Sequence, residues 1–290
     1  MIILLAVVAF LVLYACIPFI PFAIKNLYRF IVWGAIDIYY WFKYKKYNEC
    51  PYYGRVDVIS AYKNKVFGSG KTLDGTMVVR DIYKKYDGLE VWDDDQKKFV
   101  TQYIHVISNV DIKDIPYVKF KSSTQMLNVE QDSTDVTIFF FDEIGAIWNS
   151  RNYKDNISTE LLKELLQCRK NKVYILGTSQ RFRFIDVLLR QITGRLICVN
   201  KTWRILKRVE YDPFEYENCS NVSMLKPLHT EYKFIFNKDY AAYDTGEKVE
   251  DLIKLDLLPD ETVVQNQQLS NSDLSVVRLK KRFRGRRRGK

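Results

Sequence analysis

Two short stretches of this chain hold residues that could do chemistry together. Gly68-Ser69-Gly70-Lys71-Thr72 offers small residues, an amine and a hydroxyl in the spacing of a phosphate-binding loop. Small residues let backbone N–H groups approach phosphate oxygens closely. Lys71 would neutralise the β- and γ-phosphates, and Thr72 would present its hydroxyl to Mg2+. With the approach residues, the nucleotide-binding set is Val66, Phe67, Gly68, Ser69, Gly70, Lys71 and Thr72. Further along, the apolar run Phe139-Phe140-Phe141 ends in Asp142 and Glu143. Asp142 would complete the Mg2+ site, and Glu143 would polarise an attacking water as general base. ATP and Mg2+ are therefore the expected cofactors. One departure is plain: Lys65 stands where the GxxxxGK[ST] pattern has its first glycine. An ordinary Gly-Ser-Gly surface loop and two surface acids are the plain alternatives.

Three arginines, Arg151, Arg169 and Arg190, are candidates for meeting the γ-phosphate, in their own chain or across a subunit boundary. Gln180 could sense the same phosphate through its amide. The two histidines and five widely spaced cysteines hold no CxxC pair, which argues against zinc and against a disulfide framework. Reduced thiols are expected.

The elements that must position these groups follow from hydropathy. Residues 55–62 alternate as a strand, with Val56, Val58 and Ser60 on one face. Residues 72–86 fit a helix, interrupted by Gly75 and stopped by Gly88. A second strand is expected over 99–106, and 108–125 reads as irregular. The continuous apolar run 136–141 suits a strand buried on both faces of a parallel sheet. Ser158 can cap a helix reaching Cys168, with Leu161, Leu162, Leu165 and Leu166 as its apolar stripe. A buried strand over 172–177 and a helix over 184–192 follow. Strands alternating with helices imply an α/β fold: a mostly parallel sheet flanked by helices. Residues 195–240 read as β-rich.

Residues 1–24 carry no charge. As a helix they would extend about 36 Å, enough to cross a hydrocarbon core of about 30 Å. Positive residues follow the stretch, at Lys25, Arg29, Lys43, Lys45 and Lys46, so the N-terminus would face out and the rest the cytoplasm. Residues 28–43, aromatic and interrupted by Asp37, read as an interfacial amphipathic helix, with a second span as the alternative. At the other end, Arg278, Lys280, Lys281, Arg282, Arg284, Arg286, Arg287, Arg288 and Lys290 account for nine of the net ten positive charges. Such a tail suits nucleic acid or anionic lipid. The expected organisation is a membrane anchor over 1–47, a nucleotide-binding domain over 48–200, a β-rich extension over 201–261, and a polar linker with basic tail over 262–290.

The order of motifs resembles the zonular-occludens-toxin-like assembly ATPases of filamentous single-stranded DNA phages, within the wider FtsK–HerA class of P-loop NTPases. The resemblance runs over roughly residues 54–200. It rests on VFGSGKT at 66–72, Asn109, FFFDE at 139–143, Trp148 and Arg151. Gln167-Cys168-Arg169, Thr178-Ser179-Gln180, Ile185-Asp186 and Arg190 continue the series. It implies an ATPase at the host inner membrane that drives phage assembly and extrusion. Implied partners are further copies of the chain, as a homo-oligomer or ring, coat protein and a single-stranded DNA complex, beside membrane lipid. The membrane segment at the N-terminus departs from family members that carry it after the ATPase domain. A cellular or plasmid DNA translocase of the same superfamily, or a membrane scaffold that only binds nucleotide, are the alternatives.

Overall fold

A computed structural model describes residues 19–243, apart from Asn64, Asn128, 130–133 and 151–156. Arg151, the basic tail and most of the 1–24 stretch therefore lie outside the described residues.

Two helices come first, α1 (Phe19–Lys25) and α2 (Leu27–Lys43), and neither buries a residue. No single described helix is long and apolar enough to cross a membrane; the two pass that test only as a pair, bent by 74°. Strand β1 (Arg55–Ala61) then leads through the glycine-rich loop into α3 (Lys71–Tyr86). Gly88, at φ +78°, takes the left-handed backbone that ends this helix.

The expected strand over 99–106 is two strands. A hairpin of β2 (Glu90–Asp93) and β3 (Lys98–Thr101) stands apart, and β4 (Ile104–Ser108) enters the main sheet. Gln102 separates them: its backbone pairs with Gly88 and Leu89 on the hairpin side, and its buried side chain is bonded as well. It accepts from the Cys50 N–H at 3.1 Å and donates to the Tyr86 carbonyl at 3.2 Å.

Short β5 (Val118–Lys119) and α4 (Thr124–Leu127) follow, then β6 (Val136–Phe141), buried at every position. Next come α5 (Ile144–Ile147) and α6 (Thr159–Leu166), whose cap is Ser158 accepting from the Leu161 N–H. Beyond β7 (Val173–Ser179), the expected helix over 184–192 is a 3-10 turn, Phe182–Phe184, and a short α7 (Val187–Ile192) capped by Asp186. The last elements are β8 (Thr193–Thr202), β9 (Ile205–Tyr211), α8 (Pro213–Asn218), β10 (His229–Phe234) and α9 (Asn237–Tyr240).

Eight strands form one sheet in the order β10-β9-β8-β1-β7-β6-β4-β5. From β8 to β5 all neighbours are parallel; β9 and β10 extend the β8 edge antiparallel. The boundary placed at residue 200 thus falls inside a strand, and the β-rich stretch continues the same sheet. Helix α3 covers one face, packing Leu73, Met77 and Ile82 over Ile59, Phe140 and Tyr174. Helices α5, α6 and α7 cover the other with Ile144, Leu161, Leu165 and Leu189 over Val58, Phe139, Phe141 and Ile175. Each fully buried Phe or Leu contributes about 1.5–3 kcal/mol relative to exposure. Covering both faces explains why β6 and β7 read as continuous apolar runs.

Candidate nucleotide site

The strand order decides which side chains meet. Strand β7 lies between β1, which feeds the phosphate loop, and β6, which ends in the two acids. Parallel strands end at one level, so the residues just past β4, β6 and β7 converge beside the loop.

The loop is shaped for an anion. Gly68 (φ +65°) and Gly70 (φ +87°) take the left-handed backbone that lets successive N–H groups turn inward. Gly70 caps α3, placing the loop at the positive end of a sixteen-residue helix. A side chain at Gly70 would meet Leu206 at 3.1 Å and Lys201 at 3.2 Å. Ser69 is buried and its hydroxyl has no hydrogen-bond partner. The Lys71 ammonium, nearly buried, donates to the Val66 carbonyl at 3.1 Å and lies 3.9 Å from the Glu143 carboxylate. An unpartnered hydroxyl and an ammonium held by one carbonyl fit a polyphosphate. Phe67 is exposed at the loop's crest. Lys65, in the place of the first glycine, donates its amine to the Lys201 carbonyl.

Asp142 is the centre of a polar cluster. Its carboxylate accepts from the Thr72 hydroxyl at 2.8 and 3.0 Å and from the Thr178 hydroxyl at 2.6 Å. Its backbone is clamped by Asn109, which accepts the Asp142 N–H at 2.7 Å and donates to the Asp142 carbonyl at 2.8 Å. Thr178 also accepts the Glu143 N–H at 3.1 Å. Burial raises the Asp142 pKa above the usual carboxylate range, against the pull of Thr178, Thr72 and Lys71. Thr72 and Asp142 together offer hard oxygen donors suited to Mg2+, whose remaining ligands come from phosphate and water. Among the described residues, no cluster of three or more His, Cys, Asp or Glu side chains could hold a metal by itself.

Glu143 has left-handed backbone (φ +51°, ψ +53°), unusual for a residue with a side chain. Burial raises its pKa first; Lys71 lowers it, Asp142 raises it, and hydrogen bonds from the backbone and side chain of Gln180 lower it. Gln180 therefore belongs to the cluster.

Two of the arginines do not. Arg169 packs against Gly54, at the opposite end of the strands from the loop. Arg190 is turned into the fold by α7, donating to the Ile185 carbonyl at 3.1 Å and pairing with Glu217. Spacing along the chain could not give these directions. Conversely, Thr178 and Asn109 gain roles that composition did not assign. Their signal was present: each is the polar residue at the end of an apolar strand, and those strands flank β6.

Residues 67–200 match the family model for the ATPase family associated with various cellular activities (AAA). The loop, the acidic strand and β7 between them have the arrangement of a P-loop NTPase fold. The chain carries a P-loop NTPase domain. Solved structures of like shape include the N-terminal domain of zonular occludens toxin from Neisseria meningitidis. There identity is 17%, TM-score 0.44, and coverage 66% of this chain and 100% of that one. The genome packaging NTPase B204 from Sulfolobus turreted icosahedral virus 2, in complex with ATP-gammaS, is 12% identical at TM-score 0.33. It covers 62% of this chain and 92% of its own. No curated protein sequence matches the chain.

Proposed function

We propose that the protein is a membrane-anchored ATPase that drives assembly and extrusion of filamentous single-stranded DNA phage at the host inner membrane. The observation that carries the ATPase reading is the contact of Thr72 and Thr178 with one Asp142 carboxylate, beside Lys71 and Glu143. Glu143, held near Lys71 and Gln180, would accept a proton from the attacking water. Lys71 would leave Val66 for the phosphates, and Ser69 would gain the partner it lacks. Bound Mg2+ would supply positive charge against the phosphate oxygens, with Thr72 and Asp142 as its protein ligands. Gln180 would link the state of Glu143 to the end of β7.

The phage reading is supported by the motif series, and the anchor by α1 and α2. Their exposed Phe19, Phe22, Ile31, Trp33 and Trp41 need a covering that the described residues do not provide. Working as a ring would let an arginine of a neighbouring copy reach the γ-phosphate, a role for which Arg151 remains a candidate. Coat protein, a single-stranded DNA complex and membrane lipid are the proposed partners.

The test is turnover by the full chain in lipid nanodiscs, wild type beside Glu143→Gln, with and without single-stranded DNA. Hydrolysis that needs Glu143 and rises with single-stranded DNA is expected. Nucleotide binding without turnover in the wild type would sink the ATPase reading and leave a scaffold. Stimulation by duplex DNA alone would point to a duplex translocase.

A further inference from the structure

The outer edge of the sheet carries aromatic rings that the fold leaves uncovered. In the β9–β10 pair, Lys207 faces Tyr232 and Ile205 faces Phe234, so these four share one face. Tyr232 is 64% exposed and Phe234 48%. Trp203, in the turn before β9, is 73% exposed and sits edge-on to Phe234 at 6.3 Å. Phe236 continues the row, 5.2 Å from Phe234.

Cations are interleaved with these rings. The Lys207 amine lies 5.9 Å from the Tyr232 ring and 5.4 Å from that of Tyr62. Lys63 lies 5.3 Å from Tyr62, and Lys238 5.5 Å from Phe236. The acids of β9 and β10 alternate onto the other face, where Glu210 pairs with Arg195 and Glu231 with Arg208. The exposed face is thus aromatic and basic, without an acid from either strand.

We propose that this face, from Trp203 and Phe236 across the β9–β10 pair to Tyr62, binds single-stranded DNA. Rings accept stacked bases of any sequence, and amines beside them meet the backbone phosphates. A duplex hides its base faces and could use only the charges. Lipid is the poorer occupant on geometry. The chain enters β1 at Arg55 from the membrane-side segment, and Tyr62 lies beyond the far end of that seven-residue strand, about 23 Å away. A second copy docking this face on itself would oppose like charges. The site also touches the nucleotide loop: the Tyr62 carbonyl accepts the Lys65 N–H at 3.3 Å, and Lys65 holds Lys201. DNA stacked over Tyr62 would therefore bear on the entry to the phosphate loop. The proposal rests on the reading that single-stranded DNA is the polymer handled, and it places that polymer on the folded domain as well as on the tail.

The test is anisotropy of a labelled oligothymidylate of about 30 nucleotides with the full chain in nanodiscs, wild type against Tyr232→Ala/Phe234→Ala. Affinity should fall roughly ten-fold or more for the pair, since each base–ring stack matters at that level. Basal ATP turnover should stay unchanged, and DNA stimulation should be lost. Tyr232→Phe/Phe234→Tyr should retain both. The proposal is overturned if the alanine pair binds as wild type while removal of residues 278–290 abolishes binding. It is equally overturned if the alanine pair loses self-association or anionic-vesicle binding and keeps DNA. Wild-type turnover without any oligonucleotide binding would also refute it, whereas absent turnover with binding intact would refute only the ATPase reading.

Discussion

At Glu143, burial, an ammonium and a second carboxylate compete, and burial wins. The pKa is raised, so the proton-accepting form is lost at a higher pH than for an exposed glutamate. Turnover should therefore fall on acidification, from loss of the base, at a higher pH than an exposed glutamate in its place would give. Glu143→Gln should cut turnover by about 10²–10⁴ and bind nucleotide still, measured by single-turnover hydrolysis beside equilibrium binding. Thr178→Ala removes one of the two hydroxyls on the Asp142 carboxylate and the acceptor of the Glu143 N–H. Losing partners for buried polar groups costs about 1–3 kcal/mol. Turnover should drop about ten-fold or more, and Thr178→Ser should restore most of it. Lys71, Thr72, Asp142 and Glu143 were legible because their types and local sequence carry the motif. The grip of Thr178 and Asn109 was not, because it depends on which strands flank β6, a fact of long-range pairing.

Helix α3 is tied to the sheet at two places that local patterning does not reveal. Gly75 looked like a weakness in the helix. It is the point where α3 rests on β6: a Cβ there would lie 2.4 Å from the Phe140 ring, itself fully buried. Gly75→Ala should gain up to about 1 kcal/mol in propensity and lose more to overpacking, about 1–3 kcal/mol. A lowered thermal midpoint would show this; a raised one would refute it. The second tie is Arg208 of β9, which donates to the buried Asp74 at 3.0 Å. Arg208→Ala strands that carboxylate and should cost about 3–5 kcal/mol near neutral pH. Burial already raises the Asp74 pKa. The folded state then holds the proton more tightly than the unfolded chain, so stability falls as pH rises toward the folded pKa. The damage in Arg208→Ala should therefore shrink on acidification, a trend that denaturant melts at several pH values would reveal. The helix ends themselves were readable, since Ser158 acts through its hydroxyl on the first turn beside it and Gly88 through its own backbone.

Across the whole molecule, the sheet organises both the chemistry and the inert parts. Burial raises the thiol pKa of Cys50 and Cys168 to about 11 and of Cys198 to about 12, leaving them protonated at neutral pH. Iodoacetamide should modify Cys219, half-buried, well before these three; peptide mapping of the folded chain would check it. The alternation of strands and helices made the parallel sheet foreseeable, because covered faces force continuous apolar runs. That residues 205–234 would join the same sheet was less so, since antiparallel edge strands carry only half the apolar signal. That edge has a mechanical consequence. Leu206 abuts Gly70, Lys201 holds Lys65, and Arg208 grips Asp74. A tug on the edge reaches the chain at three points spanning ten residues, two from β9 and one from its neighbour β8, from before the phosphate loop to the first turn of α3. Load on the edge should therefore be felt at the candidate nucleotide loop through a few side chains, and a filled loop should stiffen the edge in return.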